Sequence, residues 1–328
     1  MKNHRSYYLR KCLVIVGVLM LLCVILLDRL NRKYVKNFSI VEVGPRTRSK
    51  KIERNIPDNR ESPETENYIL HPANLCKIGN SLVNLDYLVL IYSAPNHFDQ
   101  RNAIRETWAS ELKRNSSSRT AFLLARTEDD NVQRAIESES YLHADIIQGT
   151  YMDHYRNLTL KAKMMMTWVL QFCPHVNFVF KSDDDTFVNV GNILKVMKNK
   201  SKDAIYGELH TSERPIRNPS SKWYVSKKEY RGTKYPPFVA GPFYVLGGRI
   251  LRRLYNAWEE VPFISLEDVF LTGFVAENAG VERINENAIR GNEKVSVCDV
   301  SKKATFHLIT PKMMRLFWYQ MQYSVIKC

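Results

Sequence analysis

The sequence predicts an α/β domain built on a mostly parallel sheet, with a membrane anchor and an extended stem before it. Three observations support this prediction. Strand-like apolar runs alternate with helical patterns from about residue 84, an acidic run follows one of these strands, and an uncharged apolar segment lies near the N-terminus. Alternating strands and helices are typical of parallel strands joined by helices that pack on the sheet. We therefore place the folded domain at residues 83–328.

Five segments have the composition of strands. They are dominated by apolar, β-branched and aromatic residues, as expected for strands that are buried within a layered domain. The predicted strands are residues 87–92, 121–125, 144–147, 177–180 and 243–246.

Four segments have the apolar spacing of helices. Their apolar residues recur every three or four positions, which predicts helices that bury one face against the sheet. The predicted helices are residues 99–112, 128–143, 160–172 and 267–279.

The N-terminal region carries an apolar run of 16 uncharged residues, from Cys12 to Leu27, with basic residues on both sides. A cleaved signal peptide is the alternative to an anchor, but no small-x-small cleavage site follows the run. We predict a cytoplasmic tail at residues 1–11, a transmembrane signal anchor at 12–28 and a stem at 29–82. The stem is polar and cannot bury enough apolar surface to fold alone. A short tail before a large domain favours a lumenal C-terminal domain.

The formal net charge of +14 is concentrated near the N-terminus, because residues 1–80 carry +8 of it and residues 81–328 carry +6. No basic helix with a base-reading pattern and no zinc-finger spacing is present. The charge therefore does not indicate nucleic-acid binding, and the mild excess in the folded domain suits an anionic nucleotide substrate.

Four cysteines lie beyond the apolar run, and none of them forms a CxxC pair, which argues against a zinc site. Two disulfides in any of three connectivities are open to Cys76, Cys173, Cys298 and Cys328. In a lumenal protein, glycosylation sequons are expected on the surface. They begin at Asn37, Asn115, Asn157 and Asn199.

An acidic run, Asp183-Asp184-Asp185, is the sharpest local feature. Three adjacent carboxylates repel one another, and water or a cation must offset that repulsion. Hard divalent cations prefer carboxylate oxygen and accept phosphate oxygens as further ligands. The alternative is a solvated acidic turn that caps the next helix. The run follows a buried strand, and ligands of parallel sheets bind at the carboxyl ends of strands, so the position favours a metal site.

Glu267 and Asp268 form a second acidic pair, at the start of a predicted helix. Such a pair can simply complement the helix dipole. Alternatively, a carboxylate that the dipole keeps ionised can accept a proton from a reacting hydroxyl.

Three further residues have two interpretations each. Arg101 and Arg105 share one helix face, where they either neutralise phosphates or form a solvated basic surface. His307 lies in the strand-like segment 305–309. It is either a hydrogen-bonded core residue or a neutral metal ligand that arrives from another strand.

Taken in order, six segments resemble the β-1,3-glycosyltransferase family, the galactosyl- and N-acetylglucosaminyltransferases related to Fringe. The resemblance extends over about residues 84–310. They are RNAIRETW at 101–108, DHYRNLTLK at 153–161, FKSDDDTF at 180–187, KWYVS at 222–226, the stretch 235–246 and EDVFLTG at 267–273.

The resemblance implies a GT-A fold with a Rossmann-like sheet, in a type II membrane protein of the Golgi with its catalytic domain in the lumen. It also implies a UDP-sugar donor, Mn²⁺ or Mg²⁺, and inversion at the anomeric carbon. The Glu-Asp-Val form of the second acidic motif is closer to the galactosyl branch. We therefore expect β-1,3-transfer of galactose from UDP-galactose to a hydroxyl of a glycoprotein or glycolipid glycan, with transfer of N-acetylglucosamine as the alternative.

The resemblance also implies roles by position. Asp183 and Asp185 are expected to bind the metal, with Asp185 the ligand most directly involved and His307 a further one. Asp183 and Asp184 are expected to contribute to the nucleotide-sugar site.

Asp268 is expected to be the catalytic base, and Arg101 and Arg105 are expected near the nucleotide. Many galactosyl members carry a cysteine after the Tyr-Pro-Pro turn, where this chain has Val239, so we expect Cys173 to be free or paired differently.

Two functions of other classes remain open at this stage. A metal-dependent phosphohydrolase also uses clustered aspartates, although no second carboxylate–histidine cluster near Asp183 suits two metals. An anchored glycan-binding protein without catalysis would bind sugars without affinity for a nucleotide-sugar.

Overall fold

The computed structural model describes residues 68–289, 297–300 and 302–323. The predicted tail and anchor, and the stem up to residue 67, lie outside these ranges. Within them, no helix has both the length and the apolar character needed to cross a bilayer.

Twelve strands are described. They are β1 (Tyr68–Leu70), β2 (Lys77–Ile78), β3 (Ser81–Leu82), β4 (Tyr87–Tyr92), β5 (Ser118–Arg126), β6 (Ile146–Met152), β7 (Phe178–Asp183), β8 (Phe187–Val188), β9 (Ala204–His210), β10 (Phe238–Gly247), β11 (Glu282–Asn285) and β12 (Thr305–Phe306).

The described helices lie between and after these strands. The α-helices are α1 (Phe98–Glu106), α2 (Trp108–Arg114), α3 (Asp130–His143), α4 (Leu158–Phe172), α5 (Val190–Met197), α6 (Leu251–Ala257), α7 (Ala276–Asn278), α8 (Val297–Val300) and α9 (Pro311–Gln322). Single 3₁₀ turns are formed by Tyr155–Asn157, Gly248–Ile250 and Trp258–Glu260, and a π-helix by Val269–Val275.

An eight-stranded sheet in the order β1-β6-β5-β4-β7-β10-β9-β11 forms the centre of the domain. Strands β6, β5, β4 and β7 are parallel, as the alternation of strands and helices predicted. The other half is mixed, because β10 runs antiparallel to both of its neighbours and β11 is parallel to β9. A mixed, largely parallel sheet of this kind fits the expected GT-A fold.

Helices cover both faces of the sheet, because its inner strands are apolar on both faces. In β4, Leu88 and Leu90 pack in one core together with the α4 side chains Met165 and Trp168. Val89 and Ile91 point the other way and pack in a second core with α1 and α2. Strands that are buried on both faces read as continuous apolar runs, which is why this strand was predictable.

The predicted helix at 99–112 is in fact two helices with a break at Thr107. The backbone of Thr107 leaves the helical region, with φ −109° and ψ −117°, and its hydroxyl donates to the Ala103 carbonyl at 2.5 Å. A hydroxyl that bonds back to a carbonyl four residues earlier competes with the regular helix. The break turns the buried Trp108 into the core.

The predicted boundary between stem and domain at residue 83 is too late. Strand β1 pairs with β6 at the edge of the sheet, and Cys76 forms a disulfide with Cys173. Residues from 68 onward therefore belong to the folded unit. Cys173 is not free, and its partner is one of the three that sequence left open; Cys298 is also disulfide-bonded.

The parallel strands end at one edge of the sheet, where functional residues were expected. Tyr92, the last residue of β4, is in register with Asp183, the last residue of β7. The acidic run therefore begins inside the strand and continues at its carboxyl end, which is where layered α/β domains bind their ligands.

Candidate active site

A cleft with a volume of about 710 Å³ opens at this edge of the sheet. All of the predicted acidic residues and the predicted histidine line it, although they come from three distant parts of the chain. They are Asp183, Asp184, Asp185, Asp268 and His307, with Glu267 beside them.

Lys181 balances part of the negative charge of this cleft. Its Nζ donates to Asp183 Oδ1 and to the Gly241 carbonyl, both at 2.5 Å. Burial lowers the pKa of Lys181, but the charges of Asp183 and Glu267 outweigh burial and leave that pKa raised. Burial also raises the pKa of Asp183, against the opposing effect of the Lys181 charge.

Asp183, Asp185 and His307 form a group that fits a divalent cation. Their ligand atoms all lie within 4.8 Å of one another. Asp185 Oδ1 is buried, receives no hydrogen bond from the residues that the structure describes, and lies 3.1 Å from His307 Nε2. Carboxylate oxygens with one imidazole nitrogen suit Mn²⁺ and are compatible with Mg²⁺.

His307 reaches this group because its strand ends earlier than predicted. Strand β12 covers only Thr305 and Phe306, paired with β8, and Leu308 then takes a left-handed conformation with φ +62°. The Ile309 N–H donates to the Asp185 carbonyl at 2.8 Å. The turn thus brings His307 to the acidic run. This position favours a metal ligand over a hydrogen-bonded core residue. A positive φ is uncommon outside glycine and is often found at functional sites.

Asp184 points to a different partner. Its Oδ2 lies 2.9 Å from Nδ1 of His97, which precedes α1 and also lines the cleft. The hydrogen bond to Asp184 raises the pKa of His97. His97 was missed at the sequence level because only the fold brings it to a residue 87 positions away.

Asp268 is held at the cleft by two backbone amides. Val269 N–H donates to Oδ1 at 2.8 Å, and Gly241 N–H donates to Oδ2 at 3.0 Å. A Cβ at position 241 would lie 3.1 Å from Oδ2, so a glycine allows β10 to approach this closely. Burial raises the pKa of Asp268 although both amide bonds lower it. The carboxylate remains half-buried, open to the cleft, and a raised pKa makes it a better proton acceptor.

Glu267 is the more deeply buried member of the pair. The Tyr244 hydroxyl donates to its Oε1 at 2.6 Å. Burial raises the pKa of Glu267 to about 7, with Lys181 opposing that shift and Asp268 adding to it. Sequence reasoning left Glu267 without a role, since adjacency alone does not tell which carboxylate faces the cleft.

The structure does not bring Arg101 and Arg105 to the cleft. Arg101 is 0% exposed, and it donates to both oxygens of Glu139 and to the Ala94 carbonyl. Arg105 donates to Asp145 at 2.8 Å and to Glu139 at 2.6 Å. These arginines therefore join α1 to α3, and Arg101 holds the loop after β4. They do not form the solvated basic surface that was the alternative.

Two aromatic side chains at the cleft were also missed at the sequence level. Trp223 is 49% exposed, and Tyr155 lies in the turn before α4. Tyr155 and Trp223 both line the cleft. Burial, followed by the charges of Asp268 and Asp183, raises the pKa of Tyr155 to about 12. The one feature of the sequence that could have identified Tyr155 and Trp223 is that each lies in one of the six motifs of the resemblance.

Comparisons with known proteins point to sugar transfer. The family model described as Galactosyltransferase matches residues 99–287. Beta-1,3-galactosyltransferase 5 of Homo sapiens is 37% identical over 244 residues, which are 72% of this chain and 78% of that protein. Beta-1,3-galactosyltransferase 1 of Mus musculus is 31% identical over 273 residues, which are 81% of this chain and 82% of that protein.

The placement of Arg101 leads to a testable prediction. Arg101→Met should lower the free energy of unfolding by about 3 kcal/mol, because it leaves Glu139 buried with less compensation. Arg249→Met, which breaks an exposed pair with Asp203, should change it by less than about 1 kcal/mol. Urea unfolding measures both. An Arg101→Met protein of normal stability with a raised KM for the nucleotide-sugar would instead support the nucleotide contact that the resemblance implied.

Proposed function

The chain belongs to the β-1,3-galactosyltransferase family and is a glycosyltransferase, and from that premise we propose the reaction it performs. It transfers galactose from UDP-galactose, with inversion, to a hydroxyl of a glycoprotein or glycolipid glycan. Transfer of N-acetylglucosamine from its UDP-sugar by the same residues is the second candidate, since the acidic residues of the cleft do not discriminate between the two sugars.

The position of Asp268 is the observation that carries the proposal. Its carboxylate faces the cleft and is oriented by two amides, while Asp183 and Asp185 line the same cavity. As the acceptor oxygen bonds to the anomeric carbon, the hydroxyl proton passes to Asp268. The bond from that carbon to the nucleoside diphosphate breaks on the opposite face, and its electron pair leaves with the diphosphate.

Mn²⁺ or Mg²⁺ would be held by Asp183, Asp185 and His307, whose atoms fit such an ion. A bound cation supplies Lewis-acid stabilisation of the departing diphosphate. Asp184, held by His97, lies beside this group and would contribute to binding the nucleotide. Lys181 keeps Asp183 oriented and limits the repulsion among the carboxylates.

We further propose a type II protein of the Golgi membrane, anchored by residues 12–28 with the catalytic domain in the lumen. The apolar run and its basic flanks support this arrangement. They lie outside the described residues.

A panel of UDP-sugars tests the reaction itself. With full-length protein in detergent and one glycan acceptor, we expect transfer from UDP-galactose well above that from UDP-N-acetylglucosamine, followed as labelled product. A reversed preference would replace the leading proposal by the second candidate. Phosphate release without an acceptor would favour a phosphohydrolase, and glycan binding without affinity for any UDP-sugar would favour a non-catalytic protein.

Replacement of the Asp185 carboxylate should impair both metal binding and activity. Asp185→Asn is expected to weaken Mn²⁺ binding in calorimetric titrations and to lower kcat/KM at least about a hundredfold, since a bound cation supplies several kcal/mol of charge stabilisation. Asp203→Asn changes an exposed acid outside the cleft and should behave as wild type. Unchanged Mn²⁺ binding and activity in Asp185→Asn would remove this residue from the metal site.

The base assignment predicts both a rate and a pH profile. Asp268→Asn should lower kcat about 10²–10⁴-fold, the range for loss of a general base, while the affinity for UDP-galactose changes little. In the wild type, kcat/KM should fall as the pH is lowered through the raised pKa of Asp268, because only the ionised carboxylate accepts a proton. Full turnover in Asp268→Asn would contradict the assignment.

A further inference from the structure

A basic loop forms one wall of the cleft. Residues 211–237 connect β9 to β10, and they contain seven Lys or Arg but only two Glu. This loop therefore carries +5, against +6 for the whole of residues 81–328. Most of the net positive charge of the domain is thus carried by this loop.

The loop is braced by bonds within itself and is tied to the rest of the domain through Glu229. Arg217, the one cation that is not exposed, donates to the carbonyls of Val225, Tyr230 and Gly232. Glu229 accepts bonds at 2.7 Å from both the backbone N–H and the hydroxyl of Ser265. The backbone that presents the other cations is therefore held in place.

The six other cations of the loop are exposed, and in the part of the chain that the structure describes none of them pairs with a carboxylate. They are Arg214, Lys222, Lys227, Lys228, Arg231 and Lys234. The two acids of the loop are used elsewhere, Glu229 by Ser265 and Glu213 by His210. A solvated surface usually interleaves both signs of charge, whereas this one attracts anions.

Two of the cations lie at the cleft itself. Arg214 and Lys222 line it, and Lys222 Nζ is 4.6 Å from the ring centre of Trp223 and 6.0 Å from that of Tyr155. An exposed aromatic ring offers an apolar face to a sugar. A sugar placed against Trp223, near Asp268, would thus have an ammonium group beside it.

We propose that residues 211–237 select acceptor glycans that carry an anionic group, a carboxylate or a sulfate, on or next to the accepting sugar. Arg214 and Lys222 bind that group, and the outer cations attract the acceptor to the cleft. The inference rests on the proposed function, because it identifies the chemical class of the acceptor. Arginine and lysine form charge-assisted hydrogen bonds with a carboxylate as well as with a sulfate. Either group on the acceptor would therefore be bound by the cations that line the cleft.

The test compares three oligosaccharides that differ only in one group: neutral, sulfated or carboxylated. With full-length protein in detergent and UDP-galactose, the anionic acceptors should have a KM about tenfold lower, the effect of one charge-assisted hydrogen bond. The advantage should shrink as salt is raised, because salt screens exposed charges. A benefit for one anion but not the other identifies the group that is recognised.

Two double variants distinguish recognition of the anionic group at the cleft from a general effect of the protein's positive charge. Arg214→Gln/Lys222→Gln should abolish the preference for the anionic acceptors. Arg252→Gln/Arg253→Gln removes two exposed cations of α6 outside the cleft and should keep the preference. Equal KM values for all three acceptors in the wild type would overturn the proposal, as would a preference that survives Arg214→Gln/Lys222→Gln.

Direct binding distinguishes failure of this inference from failure of the proposed function. Calorimetric titration of the same three oligosaccharides does not depend on turnover. Tighter binding of the anionic ones without any sugar transfer would overturn the proposed reaction and leave the selectivity supported. Sugar transfer with equal binding of all three would overturn the selectivity alone.

Discussion

The bond between Lys181 and Asp183 is the interaction on which the acidic edge of the sheet depends. Five carboxylates meet there, and burial raises the pKa of three of them, Asp183, Glu267 and Asp268. Lys181 is buried within the same edge, with Nζ bonded to Asp183 and to the Gly241 carbonyl and lying 4.5 Å from the ring centre of Tyr92. It thereby joins β7 to β10. Among the described residues, it is the buried cation that bonds directly to the acidic run.

Around this lysine, the carboxylates differ in what surrounds them. Asp185 has a buried oxygen without a hydrogen-bond donor among the described residues, Asp268 has two amides, and Glu267 has the Tyr244 hydroxyl. An oxygen without a donor suits a cation, whereas an oriented carboxylate with a raised pKa suits proton transfer. Neighbouring residues of one chemical type can therefore take different roles because their partners differ.

The two motif arginines illustrate how a motif can serve an active site from a distance. Arg101 and Arg105 neutralise Glu139 and Asp145 inside the domain, and Arg101 also holds the loop that carries His97. His97 in turn contacts Asp184. Replacing a cation in such a network leaves a buried acid less compensated, so its identity matters even where it touches no ligand.

The sequence alone determined the elements whose signals are local. Strand β4, helices α3 and α4 and the acidic run at the end of β7 were predictable, because the spacing of apolar residues and the ends of strands follow from neighbouring residues. Only the tertiary structure decided the rest. The turn at Leu308 brings His307 to Asp185, the fold of the loop 211–237 brings Lys222 to the cleft, and the partners of Arg101 turn it away from the cleft. These outcomes depend on contacts between residues far apart in the chain, and no local pattern encodes which charge meets which.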